Sequence, residues 1–163
     1  YRIPFMQVFV RAVCTATLGA CEGALDAYIE VARTRQVGPN KMKNDPFARV
    51  IAAEVKASIE EMKLTLIRNF EAMMACCRAG VPIPIEDRVR YRYDSAVVAD
   101  RCLALSSKML KAAGSGGIRL DSELLAFHLD ILASQAHVAN HSTPFASNLG
   151  GVVFGEENAD FAL

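Results

Sequence analysis

Apolar residues recur every three or four positions along most of this chain, and that spacing predicts helices separated by short breaks. The first stretch runs from about Pro4 to Arg35, where Val13, Thr17, Cys21, Ala24, Tyr28 and Val31 form one stripe. Gly38-Pro39-Asn40 ends it, since adjacent Gly and Pro punctuate helices. Asn44-Asp45-Pro46 opens the second stretch. Asn or Asp caps a first turn, and proline suits it because its missing N–H would be unpaired there anyway. From Phe47 through Ile51, Val55, Ile59, Met62, Leu66, Phe70 and Met73 to Cys77 the apolar residues keep a near-heptad register. Glu60/Lys63 and Glu61/Arg68 are expected as exposed pairs elsewhere on this helix. Gly80 ends it, and Pro82 and Pro84 stiffen the connector. The third stretch runs from Ile85 or Glu86 to Ala113, with Val98, Cys102, Leu105, Met109 and Ala112 on its apolar side, and stops at Gly114-Ser115-Gly116-Gly117. The fourth starts near Asp121-Ser122 and runs to about Asn140, with Leu124, Phe127 or His128, Ile131 and Leu132 inward. From Ser142 onward, Pro144, Asn148, Gly150, Gly151 and Gly155 predict a loop.

Four long helices with short connectors and almost no strand signal predict an all-α, up-down-up-down four-helix bundle occupying residues 1–163 as one domain. The second helix is apolar on more than one side, with Met73, Met74, Cys76 and Cys77 running around it, which predicts an oligomer interface. An apolar fraction of 52% excludes a disordered chain. Eighteen basic against 18 acidic residues leave no electrostatic footprint for nucleic acid or an anionic membrane. No uncharged apolar run reaches the roughly 20 residues of a membrane span. Tyr1 stands where an initiator Met would, so a piece of a longer chain is expected. The five cysteines lie inside apolar helical patterns without a CxxC pair, and are expected as small buried hydrophobes in a reducing cytoplasm.

The run Ala16-Thr17-Leu18-Gly19-Ala20-Cys21-Glu22-Gly23-Ala24-Leu25-Asp26, followed by Ala32-Arg33-Thr34-Arg35, resembles the opening of the C-terminal helical domain of the acyl-CoA dehydrogenase superfamily. Arg92-Tyr93-Asp94, Ala112-Ala113-Gly114, Asp130 and His137 follow the order seen in its flavin-dependent monooxygenases. Gln135-Ala136-His137-Val138-Ala139-Asn140, with Asn148-Leu149-Gly150-Gly151, is similar to the p-hydroxyphenylacetate hydroxylase type. The resemblance implies the C-terminal part of a longer flavoenzyme, the oxygenase component of a two-component system. It would take reduced FMN or FAD from a separate flavin reductase and hydroxylate a small aromatic, phenolic substrate through a C4a-hydroperoxyflavin. It also implies a homotetramer, in which a neighbouring subunit completes the flavin site, and an N-terminal and a middle domain ahead of Tyr1.

One departure bears on the chemistry. Dehydrogenases of the superfamily often carry a catalytic Glu near the position of Val138, and Asp130 to Asn140 contains none. Removal of a substrate α-proton needs a positioned base, so thioester dehydrogenation is the alternative enzyme reading. An assembly module without turnover of its own is the alternative from another class.

By resemblance His137 is the catalytic candidate, lying beside the flavin ring. A hydrogen-bond donor or cation there stabilises anionic reduced flavin. The plain reading is a histidine with an ordinary hydrogen bond. His141 would share a helical face with His137, but no third ligand accompanies them and no metal is expected. Arg35, at the end of the first helix, is implied as a phosphate ligand and is well shaped for it. Arg92, with Arg88 and Arg90, is a further phosphate candidate, weighed against a solvated helix start paired with Glu86, Asp87 and Asp94. Asn148, Gly150 and Gly151 are candidates to lie over the flavin, since Gly admits close backbone approach and Asn can bond a ring edge. Gly114 to Gly117 is a helix stop that the resemblance keeps open as a loop near flavin. Asp130 is expected at an interhelix contact, and His128 as a half-buried residue pointing away from His137.

Overall fold

The computed structural model describes residues 2–163 apart from the side chain of Val37, so the expectation that Tyr1 follows another domain lies outside the described residues. Helix α1 (Phe5–Thr34) begins directly after Pro4. Its end leads into a two-residue antiparallel ladder of β1 (Gln36–Val37) and β2 (Asn40–Lys41), in which Gln36 pairs with Lys41. Gly38 turns that ladder at φ 59°, in the left-handed region. After a 3-10 turn at Met42–Asn44, the Asp45 carboxylate accepts a 3.1 Å bond from the Phe47 N–H and Pro46 starts α2 (Pro46–Ala79). Gly80 closes α2 at φ 73°, its N–H returning to Cys76 and Cys77 carbonyls. Helix α3 (Ile85–Ala113) follows Pro84, and α4 (Glu123–Gln135) is capped by the Ser122 hydroxyl.

The chain after Gln135 departs from expectation twice. The fourth helix stops short of Asn140, because His137 caps a separate 3-10 turn, Val138–Asn140. The segment read as a loop is a helix, α5 (Ser142–Val153). Pro144 falls in its first turn, where no N–H is needed, and helical Gly costs only about 1 kcal/mol each relative to Ala. Packing against α3 supplies what propensity does not.

The four long helices interlock through the predicted stripes. Cys14, Cys21 and Tyr28 of α1 meet Val55, Ile59 and Met62 of α2, Val98, Cys102 and Met109 of α3, and Leu124 and Ile131 of α4. By length and composition α1 is apolar enough to cross a membrane, which amends the count made on uncharged runs. Its polar side chains are instead used across the bundle: Arg11 bonds the Leu66 carbonyl, Gln7 the Arg88 carbonyl at 3.0 Å, and Thr17 the Ser134 hydroxyl. The expected surface pairs also change partners. Lys63 meets Glu22 of α1, Arg101 of α3 reaches Glu61 at 2.9 Å, and Glu60 pairs with Lys56 on its own helix at 2.9 Å. Long side chains span the helix junctions that periodicity alone does not reveal.

Candidate functional site

The break between α4 and α5 carries His137. Its Nδ1 accepts the Ala139 N–H at 3.0 Å, which leaves Nε2 as the ring nitrogen placed to donate. The imidazole is exposed and lies tilted against Phe9, ring centroids 5.8 Å apart, and Phe9 stacks on Phe5 at 5.7 Å. An exposed imidazole thus stands beside an aromatic wall. Val138 next to it is 75% exposed and Phe5 74%, an apolar rim unlike a solvated surface. His141 is not on a helical face with His137, because the helix ends at Gln135. No group of three His, Cys, Asp or Glu among the described residues is placed to hold a metal.

Below the exposed turn lies a buried polar network. Asn140 is fully buried; its amide donates to the Ser134 carbonyl and hydroxyl, both at 2.9 Å. Arg92 is 5% exposed and donates to the Ala139 carbonyl at 3.2 Å. Its plane sits 3.6 Å over the Phe145 ring, and its Nε is 3.9 Å from the Asp160 carboxylate. Burial pulls its pKa down, against the pull of Asp160. This corrects the phosphate reading of Arg92: the guanidinium is spent inside the fold, where no phosphate reaches it. Of its neighbours, Arg90 pairs with Asp87 at 2.8 Å, as a solvated helix start would.

Asn148, Gly150 and Gly151 sit on α5 and hold the tail. The Asn148 amide donates to Asn158 at 2.8 Å and its oxygen accepts the Ala159 N–H at 2.8 Å, which leaves its polar atoms committed. A Cβ on Gly151 would come within 2.8 Å of Glu156, so this glycine admits the returning chain. Gly150 has open space around it. Asp130 is exposed, because α4 turns Leu124 and Ile131 inward instead. His128 is half-buried, with Nδ1 2.9 Å from the Ser106 hydroxyl, and burial pushes its pKa down.

Arg35 lies elsewhere. Its guanidinium rests on Gly114, where a Cβ would come within 3.0 Å of it, and no carboxylate among the described residues pairs with it. Gly114 has φ 60° and ψ −151°, a conformation confined to glycine. The end of α3 and an unpaired guanidinium thus form one corner. That corner does not meet His137. Phe9 and Thr34 stand 25 residues apart on one helix, which is about 38 Å of rise. That separation exceeds the span of a single flavin nucleotide.

Asp100, which the sequence pattern did not single out, also belongs to the His137 turn. One carboxylate oxygen accepts the Gln135 amide at 2.6 Å, and the other accepts the Ser142 hydroxyl. Its only sequence signal is a carboxylate in a largely apolar helical run.

The chain matches the family described as acyl-CoA dehydrogenase, C-terminal domain, over residues 12–142. It is 29% identical over 143 residues to the flavin-dependent monooxygenase oxygenase subunit HsaA of Mycobacterium tuberculosis, covering 86% of this chain and 36% of that protein. The 3-HSA hydroxylase crystal structure from Rhodococcus sp. RHA1 superposes with a TM-score of 0.89 at 27% identity, over 99% of this chain and 42% of that one. XiaF from Streptomyces sp., in complex with FADH2 and glycerol, superposes with a TM-score of 0.88 at 18% identity, over 97% of this chain and 41% of that one, a likeness of fold. The chain spans little more than a third of the length of the curated relatives it matches.

Proposed function

The chain belongs to the acyl-CoA dehydrogenase C-terminal domain family, and from that membership we propose that it is the helical domain of a reduced-flavin-dependent monooxygenase, the oxygenase component of a two-component system. Relatives that match over most of the chain are named flavin-dependent monooxygenase oxygenase subunits, and another a pigment production hydroxylase. The observation that carries the reading is His137, an exposed ring whose Nδ1 accepts the Ala139 N–H and whose Nε2 is left to donate. No Glu occupies the turn from Ala136 to Asn140, which disfavours α-proton removal from a thioester.

Reduced FMN or FAD, supplied by a separate reductase, provides the electrons that split dioxygen. With dioxygen as co-substrate, those two electrons would let one oxygen atom enter a phenolic C–H bond as hydroxyl and the other leave as water. His137 donates from Nε2 toward the reacting face, and Phe9 orients the imidazole. Arg35 holds phosphate, with Gly114 leaving the room that a side chain would fill. Because Arg35 and His137 stand at opposite ends of α1, the two act on one flavin only if they come from different copies of the chain. That requirement supports a homo-oligomer, which a homotetramer would satisfy, as do Phe47, Leu64 and Ile67, apolar side chains that α2 leaves exposed. Gly150 and Gly151 lie nearer the His137 end, on the helix that follows its turn. Five free cysteines fit a cytoplasmic setting.

The test uses the longest natural chain carrying this sequence, loaded anaerobically with reduced FMN or FAD and mixed with oxygen and a panel of phenols. The wild type is expected to show a transient absorbance before reoxidation and to form hydroxylated product. His137→Ala is expected to raise hydrogen peroxide release per flavin oxidised. One-step reoxidation without product, together with bleaching of bound oxidised flavin by acyl-CoA thioesters, would establish the dehydrogenase instead.

A further inference from the structure

We propose that Asp100 is a positioning residue for His137, acting as the neck that closes the turn on which the imidazole stands. The inference rests on His137 as the group facing the flavin. Gln135 is the last residue of α4 and Ser142 the first of α5, and the two bond the two oxygens of the single Asp100 carboxylate. The ends of the intervening segment are thereby drawn to within one carboxylate of each other.

Between them the chain has nowhere to go but outward, and it does so as a 3-10 turn with His137 and Val138 exposed at its tip. The middle of the segment is tied separately. Ala139 is held by Arg92, on the same helix as Asp100 and eight residues before it, about 12 Å along α3. Asn140 is tied to Ser134 from within. Three anchors thus act on eight residues, and only Asp100 touches both ends. The Asp100 side chain takes one bond from an amide and one from a hydroxyl, and hydrogen bonds to a carboxylate are stronger than those between neutral groups. Without Asp100 the angle between α4 and α5 is free to open. The Nδ1 cap that holds the His137 ring then loses its frame.

The experiment compares Asp100→Ala, Asp100→Asn and Ser142→Ala with His137→Ala, all in the longest natural chain carrying this sequence. Two readouts are taken. Amide hydrogen exchange, without flavin, reports the turn itself. The N–H groups of Ala139, Asn140 and His141 should exchange at least about tenfold faster in Asp100→Ala. With reduced flavin bound, the transient that precedes reoxidation should decay about tenfold faster, since a displacement of ~1 Å can cost up to ~100-fold. Product per flavin should fall as peroxide rises, with flavin affinity unchanged. Asp100→Asn retains one acceptor and a donor and should restore much of both effects. Ser142→Ala cuts one arm and should fall between them, which keeps the test intact if Asp100→Ala does not fold. Unchanged exchange in the turn overturns the proposal, as does faster exchange with coupling intact while His137→Ala uncouples. Unchanged coupling in His137→Ala removes the reading of His137 itself, and the positioning role with it, even where exchange quickens.

Discussion

Replacement of Arg92 by Met tests whether the buried guanidinium holds the C-terminal third of the chain. Methionine keeps most of the aliphatic packing and removes the charge. Three contacts disappear: the 3.2 Å bond to the Ala139 carbonyl, the approach of 3.9 Å to Asp160, and the 3.6 Å stacking over Phe145. Breaking one side of a buried ion pair costs about 3–5 kcal/mol. The Asp160 pair is long, and Asp160 also accepts the Ala162 N–H at 2.9 Å, so the lower end applies. We expect a loss of about 3 kcal/mol. In a domain of this size that lowers Tm by roughly 6–12 °C. Urea unfolding followed by far-ultraviolet circular dichroism at pH 7.5 measures it, as a lower midpoint with an unchanged slope. Asp160→Asn supplies the control. The double variant should be more stable than the sum of the two losses, by about 1 kcal/mol or more, because the orphaned carboxylate is gone. A loss below about 1 kcal/mol for Arg92→Met, or strict additivity, would refute the reasoning. Lysine should not rescue, since it can neither stack flat on Phe145 nor donate in two directions from one plane.

Burial holds the His128 pKa below its ordinary value of 6.5. The unfolded chain therefore binds more protons in that range, and stability should fall as pH drops through about 6.5 and below; His128→Gln should flatten that slope in urea titrations between pH 8 and 5.5. Gly114→Ala forces a side chain into a glycine-only conformation and toward Arg35; unfolding should show a loss of about 1–3 kcal/mol, and flavin affinity should fall with it. Burial pushes the Cys14 thiol up to about 11, and Cys21 and Cys102 are equally buried, while Cys76 and Cys77 are half-buried. Iodoacetamide at pH 8, mapped by mass spectrometry, should label the latter two first and the other three only on unfolding.

The elements were legible where one residue type settles a local conformation. Asp45-Pro46, Gly80, Pro84 and Gly114 mark the helix ends within a residue or two, because capping and proline geometry depend on nearest neighbours. The failures cluster after Gln135. There His137 competes with the helix by capping its own turn, and glycines that predict a loop are carried into α5 by packing on α3. Arg92 misled for a related reason. Three alternating arginines read as a charged surface, and rotation about the helix buries one of them.

Periodicity and nearest-neighbour chemistry were enough for α1, α2, α3 and the start of α4 with most of their apolar stripes, whereas His137 came forward through the family resemblance of its surroundings. Which charges are buried, the bridge from Gln135 through Asp100 to Ser142, and the helix length between Arg35 and His137 became visible only in the packed bundle. Those are relations between residues far apart in the chain. They are set by how helices pack, and no local spacing encodes a distance across a bundle.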